Sequence, residues 1–160
     1  MISLETSLCH LAWSNQKFFT LFLDQPDQVF GLTAAEGEWP IGELLTHLAG
    51  SGEWYRYCLN GTTWTDLKPV VNGSVVKEYL AIMAELDAVL LEYVDSLDKD
   101  LEVEGEDGII HATVSLILSQ AVMYAAEHKG QIAAIMKQHG HHINLDGLDV
   151  WSFINESKKK

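Results

Sequence analysis

At 160 residues, with 48% apolar and 21% charged side chains, the chain has the size and composition of one soluble globular domain, 1–160, with a real core. Its 23 acidic residues against 10 basic ones leave a net charge of −13. That balance excludes a large basic footprint for nucleic-acid phosphates, argues against an anionic membrane surface as partner, and reads as a solvated, self-repelling exterior.

No apolar run approaches the roughly 20 residues needed to span a bilayer. Met1-Ile2-Ser3-Leu4-Glu5 lacks the basic start and small-residue cleavage site of a signal peptide, so a cytoplasmic location is expected. Cys9 and Cys58 fall in different predicted helices without metal-type spacing and read as reduced core thiols.

Four long segments carry helical periodicity. In the first, Leu4, Leu8, Leu11, Phe18 and Phe22 recur at steps of three and four until Gln25-Pro26-Asp27 ends the pattern. The second starts near Pro40 and runs through Leu44, Leu48, Tyr55 and Leu59 to the stop at Asn60-Gly61. The third follows Asn72-Gly73-Ser74, with Ser74 the expected N-cap and a stripe of Val75, Tyr79, Ile82, Leu86, Val89 and Tyr93. Between it and the fourth, alternation around Asp107-Gly108 within residues 101–110 predicts a small β-hairpin. The fourth helix is predicted from about Thr113 to His139, with Val114, Leu118, Ala121, Ala125, Ile132 and Ile135 inside and Gly140 as the stop. A short segment around Leu148 to Ile154 precedes a frayed tail, Lys158-Lys159-Lys160. Four such helices, each apolar on one face, predict an all-α four-helix bundle. The first connection, about 15 residues, is long enough to cross the bundle end.

Polar residues on the apolar stripes are the candidates for chemistry. His128 lies on the fourth helix's stripe and should point inward, with Tyr124 four residues earlier and Gln131 three later on the same side. Glu127 is rotated about 100° away and could only border the site. His47 sits at the edge of the second helix's stripe, and Asn15 takes an inward position on the first, where an unpaired amide would cost about 1–3 kcal/mol. His139, His141 and His142 bracket Gly140 and read as exposed; His111 is placed to help cap the fourth helix, and His10 lies off its helix's stripe.

Three stretches carry a family resemblance. Trp13-Ser14-Asn15, Gly42-Glu43-Leu44-Leu45-Thr46-His47-Leu48 and Glu127-His128-Lys129-Gly130-Gln131-Ile132, with Gly140 and the later Leu145-Asp146-Gly147…Trp151, resemble motifs of the DinB-like superfamily of four-helix-bundle proteins. The resemblance spans almost the whole chain. It implies one divalent metal ion, zinc or nickel, held by His47, His128 and a further histidine four residues before His128. Tyr124 stands at that position, and neutral phenol, with an ordinary pKa of about 10, is a poor ligand unless a metal depresses it. The resemblance further implies a thiol-dependent transferase or hydrolase acting on a small-molecule thiol, and a homodimer. Two readings follow for the site formed by His47, Tyr124 and His128 as metal ligands and Asn15, Glu127 and Gln131 around the pocket. It is a metal enzyme with an atypical ligand, or a bundle with a degenerate site that binds a small ligand or serves as a dimeric scaffold.

Overall fold

The computed structural model describes residues 3–105 and 107–159. It contains the four long helices, α1 (Leu4–Thr20), α2 (Ile41–Asn60), α3 (Gly73–Glu92) and α4 (Val114–Gln138). An antiparallel hairpin of β1 (Asp100–Gly105) and β2 (Gly108–Thr113) precedes α4, and a short α5 (Val150–Ser157) follows it. No helix among the described residues is long and apolar enough to cross a membrane.

Local chemistry accounts for the boundaries. Ser3, Thr113 and Asp149 each accept a backbone N–H in the first turn of α1, α4 and α5, satisfying donors that a helix start leaves free. The cap of α3 is Asn72, whose side-chain oxygen accepts from Val75 N–H at 3.1 Å; Ser74, the expected cap, lies inside the helix. The α2 helix has no side-chain cap, but Pro40, just ahead of it, has no N–H to satisfy. Its end is set by Gly61, at φ 72°, a left-handed conformation that glycine adopts without strain.

Each of α1 and α2 packs against both α3 and α4, so α1 and α2 occupy one diagonal of the bundle and α3 and α4 the other. The connection from α1 to α2 therefore crosses the bundle end, as its length predicts, and contains a 3-10 turn at Asp27–Gly31. The hairpin bridges the other diagonal. Its register pairs Gly105 with Gly108, so the chain reverses around Asp107-Gly108 as the alternation predicts; Glu106 lies outside the described residues. Val103 and Ala112 face the bundle while Ile109 and Ile110 face solvent.

The core is continuous through the bundle and is dominated by Phe18, Phe19, Phe22, Leu44, Leu45, Tyr79, Leu118 and Ile132. Each such side chain contributes about 1.5–3 kcal/mol of burial free energy. The stripes of α1, α2 and α4 match the periodicity. That of α3 is rotated: Val76, Tyr79, Met83, Leu86 and Leu90 are buried, whereas Val75, Ile82, Val89 and Tyr93 are only half-buried. The rotation carries Asp87 into the core with them. Close packing also explains Gly42 at the start of α2. A Cβ there would overlap the carbonyl oxygen of Val70.

Candidate functional site

The α2–α4 interface brings His47, Tyr124 and His128 together. The centroids of the His47 and His128 rings are 5.2 Å apart with perpendicular planes, and the Tyr124 ring lies 4.3 Å from His128. The Tyr124 hydroxyl is 2.5 Å from Nε2 of His47. Burial, together with the nearby His128, lowers the His47 pKa against a smaller opposing effect of Glu43. A neutral His47 therefore accepts the phenolic proton at Nε2. The Trp39 ring packs edge-on against His47 at 4.7 Å and shields it.

His128 is fixed from its other side. Its Nδ1–H donates to Oε1 of Gln131 at 2.9 Å, one helical turn on, which leaves Nε2 as the nitrogen with the free lone pair. That Nε2 is buried and without a hydrogen-bond partner. A buried polar atom left unpaired is uncommon and calls for an explanation. A ring held through one nitrogen by an amide oxygen, with the other bare, is the arrangement of a metal-ligating histidine.

Of the predicted surrounding residues, Gln131 is in place. Glu127 is exposed and does not reach the histidines. Asn15 is buried but belongs to a separate group between α1 and α3, where its Nδ2 donates to both carboxylate oxygens of Asp87 at 2.9 and 3.0 Å. Burial pushes the Asp87 carboxyl up to about 6, against the opposing effects of Asn15 and of the charge on Lys129. Lys129 is itself buried, and its ammonium donates to Oγ of Ser14 at 2.8 Å. Desolvation pulls its pKa down to about 7, partly countered by Asp87. Neither Asp87 nor Lys129 was expected from the sequence. The signal was present, since Lys129 sits at the stripe spacing from Ala125 and Ile132, and Asp87 at that from Met83 and Leu90.

An open pocket of about 450 Å³ adjoins the histidine pair, walled by Gly50, Ser51, Trp54, Tyr55, Trp64 and Gln120 as well as His47 and Tyr124. The Trp54 and Trp64 rings stack at 5.9 Å. Trp64 comes from the segment after α2, which Arg56 ties down by donating to the Thr63 carbonyl at 3.2 Å while pairing with the fully buried Glu53. These tryptophans were not singled out in the sequence.

The remaining histidines are structural or exposed. His10 Nε2 lies 2.7 Å from the Leu148 carbonyl and holds the C-terminal segment; His139 Nε2 lies 2.8 Å from that of Thr33. His111 sits on β2 beside Glu102 and takes no part in capping α4, a role filled by Thr113. Cys9 and Cys58 are both free thiols.

The family model described as the DinB family matches residues 1–152. The chain belongs to the DinB family. Protein DinB of Bacillus subtilis (strain 168) is 22% identical over 158 residues, covering 92% of each chain. The stretches through Asn15, His47 and Glu127–Ile132 thus lie within a family match that covers nearly the whole chain.

Proposed function

We propose that this DinB-family bundle is a metal-assisted enzyme acting on a small-molecule thiol, with His47, His128 and Tyr124 as the donor set. The observation that carries the reading is the buried, unpartnered Nε2 of His128 on a ring that packs against His47. Ring centroids 5.2 Å apart suit two imidazoles sharing one ion at metal–nitrogen distances of about 2.0–2.1 Å. A divalent ion held there, zinc or nickel, would supply Lewis acidity and lower the pKa of a thiol. Among the described residues no group of three histidine, cysteine or carboxylate side chains surrounds one point; in this reading the Tyr124 oxygen, beside both rings, would supply the third donor.

The chain's own residues divide the remaining work. Gln131 orients His128 and sets its tautomer. Tyr124 is poised to exchange its bond to His47 for a shared ligand. The Trp54, Tyr55 and Trp64 walls would hold the body of the substrate beside the pair. The thiol as substrate class, and a homodimer as the assembly, rest on the family resemblance; light scattering tests the dimer.

A second reading has its own support. The direct Tyr124–His47 hydrogen bond occupies one of the two nitrogens a metal would need. In that reading the pocket is metal-free and binds a small organic ligand. Metal analysis of protein purified without a histidine tag separates the two. One ion per chain, lost in His128→Ala and in Tyr124→Phe, supports the enzyme; substoichiometric metal unchanged by His128→Ala rejects it.

A further inference from the structure

A second cavity lies between α1, α4 and the segment that leads into α5. It encloses about 190 Å³ and is walled mainly by Leu11, Val122, Ala126, Leu145 and Leu148. Both partners of the Lys129–Ser14 hydrogen bond also line it. Lys129 follows His128 by one residue and so projects about 100° around the α4 axis, towards α1 and away from α2. The cavity is therefore distinct from the histidine site.

The lysine is incompletely matched. An ammonium has three N–H donors. Among the described residues Lys129 gives one to Ser14 Oγ at 2.8 Å and otherwise lies over the Phe18 ring at 5.9 Å. The Ser14 hydroxyl donates its own proton to the Leu11 carbonyl, leaving its oxygen to receive Lys129. Both oxygens of Asp87 accept from Asn15, so Asp87 acts on Lys129 through its charge and takes none of its N–H donors in a hydrogen bond. Asp149 also borders the cavity, but its carboxylate caps α5 by accepting from Ser152 N–H at 2.6 Å. A buried cation with donors to spare is costly unless an anion completes it. Beside it here is an apolar hollow.

We propose that this cavity binds a short-chain monocarboxylate, its oxygens accepting from Lys129 and its alkyl chain lying against Leu11, Val122, Leu145 and Leu148. The space suits a ligand of a few carbon atoms, and butanoate is the representative chosen. A dicarboxylate is disfavoured because the buried cation lining the cavity is Lys129 and a second charge would meet apolar side chains or the Asp149 carboxylate, the His10 imidazole being bonded to the Leu148 carbonyl.

The test is a titration of butanoate into the full chain at neutral pH, followed by amide chemical shifts. Saturable shifts are expected at Leu11, Val122, Ala126 and Leu148, with weaker binding of the uncharged butanamide. Lys129→Met lowers the affinity by more than about tenfold, as loss of a charged hydrogen bond requires, and Lys129→Arg retains binding. Ala126→Phe, at an exposed position on the cavity mouth, blocks entry without disturbing the core, and His47→Ala changes nothing. The proposal is overturned if butanoate gives no saturable shifts, if Lys129→Met binds it as tightly, if Ala126→Phe leaves it unaffected, or if the shifts centre on His47 and Tyr124.

Discussion

The phenolic hydroxyl of Tyr124 on α4 donates to Nε2 of His47 on α2 across 2.5 Å, so the residue at the position where the resemblance implies a third histidine is bonded to the histidine opposite. Any ion between these helices competes with that bond. Tyr124→His removes the competition and supplies a third nitrogen. Zinc affinity measured by competition with a chelator is expected to rise by at least about tenfold. An unchanged affinity would mean that the histidines are not placed to share an ion.

Gln131 provides a gentler test of the same geometry. Its Oε1 receives the Nδ1 proton of His128 and thereby leaves the lone pair on Nε2. Gln131→Leu removes the acceptor while keeping the side chain's bulk. Metal affinity should fall about 10–100-fold, as for other partners that orient ligating histidines, with little change in thermal stability. A large stability loss with unchanged affinity would assign Gln131 to folding alone.

The bundle was legible because each long helix buries one stripe and Pro40, Gly61 and Gly140 mark helix ends; the side-chain caps were less so, since Asn72 and Thr113 fill the places read for Ser74 and His111. The α3 register was not. Val75, Ile82 and Val89 compete with Val76, Met83 and Leu90 for the inward face, and only packing against α1 and α2 decides between two equally apolar rows. The histidine pair was legible because both members lie on or beside stripes. Asp87 and Lys129 escaped because charged residues at stripe positions are read as solvent-facing until a neighbouring helix supplies partners, here Asn15 and Ser14 from α1. Trp64 lies outside any periodic segment, and its place beside the pocket depends on the tether from Arg56.

That tether also makes Glu53 a stability determinant. Its side chain is 1% exposed and pairs with Arg56, which is itself mostly buried. Arg56→Met would leave an uncompensated carboxylate in the core, at a cost of about 3–5 kcal/mol. Adding Glu53→Gln to Arg56→Met should recover part of the loss, because the remaining amide carries no charge. Urea denaturation of the two single variants and the double variant measures the coupling. Simple additivity would remove the pair from the account.

Asp87 gives a pH dependence whose direction is fixed by its burial. Its carboxyl is pushed up to about 6 in the folded chain from an ordinary 3.8, chiefly by desolvation. Below 3.8 the group is neutral in both states and imposes no penalty. As pH rises from there towards 6, the unfolded chain ionises while the folded chain stays protonated, so the folded state binds more protons and stability falls. Above 6 the penalty is complete, on the order of 3 kcal/mol. Asp87→Asn removes this titration yet keeps a side-chain oxygen to accept from Asn15. The variant should therefore gain stability relative to the natural protein as pH increases from 4 to 6, when both are unfolded by denaturant across that range. Taking the difference cancels groups that Asp87 does not touch; Lys129, held at about 7 with help from the Asp87 charge, is coupled to it, so the comparison is repeated in a Lys129→Met background. A difference that stays flat between pH 4 and 6 would show that Asp87 ionises as readily in the folded protein as in the unfolded chain.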